Sequence, residues 1–289
     1  MEAMKKVLVP TDFSNNALKA LSYAAEIAQK SGAVIYLLNV IEPTINMATM
    51  QADSSKEKVV NERSGDLKIS LKTVASVYPS VEVKPYLAGG AVITSIIDFA
   101  EKEAIDLTVM GTKGASGLKK FFMGSVAAGV ISKTKVPVLT VPVSYELEKP
   151  GVILFATNQF EKNKDLLDEM VYLARLFSAA IHVVVFKDVD GDKNADLIYN
   201  EEQLNNYLQF SKETFPGSHL KAELIEGSDF EMAIDQYCNL HDAGLVAMVT
   251  YPKSFFEKLL GKSVTKNMAF HSTTPILAIP AISVFQSEG

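Results

Sequence analysis

Cysteine occurs once in the 289-residue chain, as Cys238, and arginine twice, as Arg63 and Arg175. A lone thiol excludes an internal disulfide framework and predicts a reducing, cytoplasmic setting in which Cys238 packs as a small apolar side chain. Two arginines in a chain of net charge −6 leave no basic footprint for a nucleic acid. No stretch approaches the roughly 18 consecutive apolar residues of a membrane helix, so no membrane partner is expected. The Met1–Lys6 segment runs into only a four-residue apolar stretch, Val7-Leu8-Val9-Pro10, which predicts no export signal. Histidine is scarce too. His182, His219, His241 and His271 show no paired metal-ligand spacing, so no metal site is predicted, and each reads as a surface or internally satisfied side chain.

What remains is globular material. Hydrophobic residues make up 48% of the chain and no low-complexity tract interrupts them, so a real core can form, and the length allows about two domains. Charge is divided unequally. Residues 1–144 hold 16 Lys+Arg against 13 Asp+Glu, whereas residues 145–289 hold 12 against 21, so only the first half welcomes a polyanionic ligand.

The chain is a tandem repeat of itself. Val7-Leu8-Val9-Pro10-Thr11-Asp12 aligns with Ile153-Leu154-Phe155-Ala156-Thr157-Asn158, and Val136-Pro137-Val138-Leu139-Thr140-Val141-Pro142 with Thr274-Pro275-Ile276-Leu277-Ala278-Ile279-Pro280. The polar stretch from Ser144 to Pro150 is the joint, giving domains 1–144 and 150–289. In the first, periodicity predicts strands at Lys6–Pro10, Val34–Val40, Val81–Tyr86, Leu107–Met110 and Val136–Val141. Helices are predicted at Asn15–Gln29, about Ser55–Val77, Ala91–Glu103 and Ser125–Lys133. Strand and helix alternate, and runs such as Val7-Leu8-Val9 suit strands covered on both faces. The fold class is therefore α/β, each half a five-stranded parallel sheet with right-handed helical crossovers on both faces. In such Rossmann-like sheets ligands bind beyond the carboxyl ends of the strands, where the strand order reverses. Pro10-Thr11-Asp12 closes one strand there and Met110-Gly111 another.

Between the strand ending at Met110 and the helix starting near Ser125 lies Gly111-Thr112-Lys113-Gly114-Ala115-Ser116-Gly117, followed by Gly124-Ser125-Val126. Unpaired N–H groups and the positive dipole end at a helix start attract an anion, and glycines let the backbone approach it. The same glycines also suit an ordinary strand-to-helix turn. The spacing is neither a Walker loop nor a Gly-x-Gly-x-x-Gly fingerprint. Gly111, two residues, Gly114, nine residues and Gly124-Ser125 instead resembles the nucleotide-binding signature of the universal stress protein family, and the order of elements resembles that family once per half.

The resemblance implies tandem adenine nucleotide alpha hydrolase-like domains. The first would hold ATP or another adenine nucleotide, with or without magnesium. It carries Pro10, Thr11 and Asp12 onto the adenosine end of the ligand and Val40 onto the adenine through its main chain. Met110, Gly111, Lys113, Gly114, Gly124, Ser125 and Val126 fall on the phosphate loop. Lys113, Lys119 and Lys120 either assist the phosphates or form a solvated face. Taken alone, Asp12 reads equally as a helix cap or turn residue before Asn15. Val136–Val141 and Pro275–Ile279 are proline-bearing edge strands that need cover, which together with the resemblance predicts an internal pseudo-dimer of the two halves and leaves a homodimer open.

The second half keeps the frame and loses the motif. Asn158 stands for Asp12, Thr250 for Gly111 and Lys262 for Gly124, with Pro252 stiffening the loop. Gly261-Lys262-Ser263 resembles a Walker fragment, but Phe256 occupies the position of its first glycine. The reading is a nucleotide-dependent binding module active in stress, with a degenerate partner domain in which another small ligand is not ruled out. Two alternatives stand: a slow ATP hydrolase or phosphotransferase, which would need a base and a metal-holding carboxylate that cannot be assigned, and a scaffold with a vestigial site.

Overall fold

The computed structural model describes residues 4–42, 53–112, 124–146, 149–157, 160, 162–188, 201–250 and 274–281. The chain divides into two compact units, Glu2–Ser144 and Tyr145–Gly289. The first contains, in order, β1 Lys6–Pro10, α1 Asn15–Ser31, β2 Val34–Ile41, α2 Asp53–Val77, β3 Val83–Gly89, α3 Val92–Lys102, β4 Leu107–Gly111, α4 Ser125–Ile131 and β5 Val138–Val141. The second contains β6 Val152–Ala156, α5 Lys164–Phe177, β7 Ala180–Asp188, α6 Glu201–Thr214, β8 Leu220–Gly227, α7 Phe230–His241, β9 Ala243–Thr250 and β10 Ile276–Pro280.

Within the first unit the strands run in the order β3-β2-β1-β4-β5, and their described pairings are parallel. The second unit repeats that order as β8-β7-β6-β9-β10, again parallel. The five-stranded α/β fold expected for each half is thus present. Val7, Leu8 and Val9 are fully buried, as are Ile153, Leu154 and Phe155 at the matching positions, because helices cover both faces of each central strand. Among the described residues no helix is long and apolar enough to cross a membrane.

Local chemistry sets the boundaries. Helix α1 starts at Ser14, whose Oγ accepts from the Ala17 N–H at 3.2 Å, and stops at Gly32, whose φ of 75° only glycine adopts at little cost. It runs two residues past the expected end. Strand β3 begins two residues later than expected because Val81 N–H turns back to the Tyr78 carbonyl, and as an edge strand it tolerates Pro85. Strand β5 begins at Val138, not Val136, because Val136 N–H is taken by Thr134 Oγ1 and Pro137 has no N–H to give. The Pro137 carbonyl still accepts from Thr108 N–H at 2.9 Å. In the second unit the β6–β9 register skips Gly244, where a Cβ would lie 2.7 Å from the Pro150 Cα, so the chain after the joint seats directly on β9.

Candidate functional site

The order β3-β2-β1-β4-β5 reverses direction of growth between β1 and β4, which puts the ligand crevice of the first unit at the carboxyl ends of those two strands. Register pairs Val7 with Leu107 and Leu8 with Thr108, so counting along both strands brings Pro10 and Thr11 level with Met110 and Gly111.

Past Pro10 the chain is fixed by short side chains accepting nearby N–H groups. Thr11 N–H donates to the Leu38 carbonyl at 2.8 Å, and Thr11 Oγ1 accepts from Phe13 N–H at 3.0 Å. Asp12 Oδ1 accepts from Ser14 N–H at 3.0 Å, and Ser14 caps the helix. Phe13 is held at a left-handed φ of 65° between them. Of the two local roles open to Asp12, the structure therefore assigns the turn to Asp12 and the cap to Ser14. The Asp12 side chain is exposed at the rim, and a carboxylate has acceptor capacity well beyond one N–H.

Asn39, next to the expected adenine contact Val40, is a residue that sequence reasoning missed. Its amide Nδ2 donates to the Thr11 carbonyl at 2.7 Å, pinning the β1 turn, while Oδ1 is buried with no hydrogen-bond partner among the described residues. Val40 itself is half-buried, in register with Ala88 at the end of β2.

On the β4 side the Met110 side chain is buried in the core. At Gly111 the missing Cβ has a definite cause. It would lie 2.6 Å from Asn16 Nδ2 and 3.1 Å from the Asn16 main-chain carbon, so glycine lets the first turn of α1 press against the end of β4. Thr112 N–H continues the ladder to the Val141 carbonyl at 3.2 Å, and the Thr112 carbonyl accepts the Gly124 N–H. That last bond sets the start of α4 beside the end of β4. Gly124 is the N-cap, its carbonyl accepting from Ala128 N–H at 3.0 Å. Because the Gly124 N–H is spent on Thr112, the donors left at this helix start are the first-turn groups of Ser125, Val126 and Ala127, which no helix can pair internally. Lys113, Gly114, Lys119 and Lys120 lie outside the described residues.

The second unit repeats the frame with different side chains. Thr157 N–H donates to the Val184 carbonyl at 3.0 Å, as Thr11 does to Leu38. At the Gly111 position stands Thr250, 7% exposed, whose Oγ1 lies 3.3 Å from the Ile279 carbonyl on the last strand. A side chain bonded to the last strand therefore stands where the first unit has glycine. Asn158, Pro252, Gly261, Lys262 and Ser263 lie outside the described residues. At the start of α7, burial first and then Asp229 and Asp235 push the Glu231 carboxyl up to about 7, an environment hostile to a phosphate. Burial raises the Cys238 thiol to about 12, so it stays an unreactive packing group.

Comparison with known proteins matches this arrangement. Residues 4–142 match the sequence model of the universal stress protein family. Universal stress protein MJ0531 of Methanocaldococcus jannaschii is 32% identical over 139 residues, 47% of this chain and 81% of that protein. Universal stress protein MJ0577 of the same organism is 30% identical over 152 residues, 47% of this chain and 94% of that one. The crystal structure of a universal stress protein from Archaeoglobus fulgidus shares the fold at a TM-score of 0.68 and 21% identity, with 95% of this chain and 96% of that chain covered. The chain covers most of the length of these two relatives, at 30% identity or more, and it belongs to the universal stress protein family.

Proposed function

We propose that the first unit binds one adenine nucleotide at the carboxyl ends of β1 and β4 and that the protein works as a nucleotide-dependent binding module in the stress response. The observation that carries this reading is the convergence, at the reversal in strand order, of three unlike pieces of chemistry. Thr11 and Asp12 offer acceptors suited to ribose hydroxyls or a base amine. Asn39 Oδ1 is a buried acceptor with no partner among the described residues. Ser125 to Ala127 offer backbone N–H donors and a positive helix end suited to phosphates, though the helix is only seven residues long and its dipole correspondingly small. Adenine nucleotides present donors at one end and anionic oxygens at the other, in that order. The acidic character of the second half and the filled position at Thr250 support a single site per chain.

Asp12→Asn separates the two roles of that residue. Asparagine can still accept from Ser14 N–H, so thermal stability should change by less than about 1 kcal/mol. Nucleotide affinity should fall at least about tenfold, or about 1.4 kcal/mol, because the ligand donors then face a neutral amide. Titration calorimetry on parent and variant reads this directly, and equal affinities would remove Asp12 from the site.

A further inference from the structure

Helix α7 of the second unit ends in a cluster of titratable side chains that the nucleotide reading does not use. It lies toward the amino ends of β7 and β8, away from the crevice end of those strands. His182 on β7 pairs in register with Lys221 on β8, and Glu223 follows two residues on. The Tyr237 hydroxyl is 3.1 Å from His182 Nδ1 and is also hydrogen-bonded to Glu223. Lys221 Nζ pairs with Glu223 Oε1, and His241 Nε2 stands 3.9 Å from Glu223 Oε2. The His182 and His241 ring centres are 5.4 Å apart, and His241 lies over Tyr237 at 4.1 Å. On its β6 side His182 pairs with Leu154, which brings no charge.

One carboxylate therefore faces three groups able to carry positive charge. With both imidazoles neutral, Lys221 and Glu223 balance. A proton taken up by His182 adds a cation near Lys221, against which the cluster sets only the Glu223 carboxylate already paired with that lysine. We propose that this cluster is an acid-sensitive clasp, which holds the last turn of α7 against β7 and β8 at neutral pH and releases it on mild acidification. Residues 1–144 contain no histidine, so the response belongs to the second unit alone.

His182 and Glu223 share one pH sense. Burial first, then Lys221 and His241, hold His182 below its ordinary 6.5, against an opposing pull from Glu223. The folded state then binds this proton less readily than the unfolded chain, so the contribution is intact above 6.5 and is lost as pH falls below it. Glu223 is pushed up by burial but brought below its ordinary 4.5 by hydrogen bonds from Lys221 and Tyr237, so its contribution is lost at still lower pH, in the same direction. At the other end of α7, Glu231 has the opposite sign. Its carboxyl, raised to about 7, takes up a proton more readily when folded, which tightens the amino end of the helix as pH falls from 7 toward 4.5. The release is therefore confined to the last turn of α7 and the β7 and β8 residues it covers.

The test is hydrogen exchange on the full chain, resolved by segment, at about pH 7.5 and about pH 5.5 after correction for intrinsic rates. Protection should drop at the lower pH in the last turn of α7 and in β7 and β8, while β1 and α1 keep theirs. His182→Phe should remove most of that drop and Glu231→Gln should leave it in place. Independently, the His182 ring should titrate below 6.5 by NMR in the parent, and higher in Lys221→Gln than in the parent. Unchanged protection in the parent, the same drop in His182→Phe, or a His182 midpoint at or above 6.5 would each overturn the clasp.

Discussion

Gly111→Val should destabilise the first unit by about 2–3 kcal/mol and abolish nucleotide binding with it. Even one added carbon would lie 2.6 Å from the Asn16 side chain and 3.1 Å from its main-chain carbon. The amide end can swing aside, but Asn16 is 4% exposed, and its backbone belongs to the first turn of a helix capped at Ser14. Relief of the clash requires α1 to move away from β4. Such a shift also drags the Thr11 to Ser14 turn, whose hydrogen bonds end on the same helix start. Chemical denaturation measures the loss. Gly65 is the control, since it lies inside α2 with open space at its Cβ position, and Gly65→Ala should stabilise the chain by up to about 1 kcal/mol. Equal effects of the two substitutions would mean that helix propensity, not the Asn16 contact, explains the glycine.

Gly124→Lys should leave the fold in place and cost at least about a hundredfold in nucleotide affinity, about 2.7 kcal/mol. The backbone at Gly124, φ −60° and ψ 150°, suits any residue, so the cap and the bond from its N–H to Thr112 can survive. What changes is space beside the N–H groups of Ser125 to Ala127. An exposed lysine charge would add at most about 1 kcal/mol of attraction to a phosphate, less than the loss of direct backbone contact. A gain in affinity would show that charge rather than access governs the loop.

Much of the architecture was legible because it rests on local pattern. Lys6–Pro10 reads as a strand from three consecutive apolar residues closed by proline, and the structure has the same bounds. The β5 boundary slipped because Thr134 captures the Val136 N–H, a side-chain contact that periodicity does not register. The candidate site was legible only in outline. Glycine at 111 signals that a backbone must come close, but that the neighbour is Asn16, 95 positions earlier, is a tertiary fact. Asn39 carries no signal in sequence, since one polar residue at a strand end fits any turn. Its meaning appears only once Thr11 is seen to accept from it. The histidines read as surface or satisfied side chains, and His182 is indeed partnered, yet its partners come from β8 and α7 and so escape any spacing rule.

The central claim is one adenine nucleotide per chain, held by the first unit. Its most direct test is titration of nucleotide-free full-length protein with ATP by calorimetry, preceded by analysis of any nucleotide released when the purified protein is denatured. The expected result is an adenine nucleotide in the released fraction and a stoichiometry of one, lost in Gly124→Lys and kept in Thr250→Val. A stoichiometry of two, no binding in the parent, or binding that survives Gly124→Lys and disappears in Thr250→Val would contradict it.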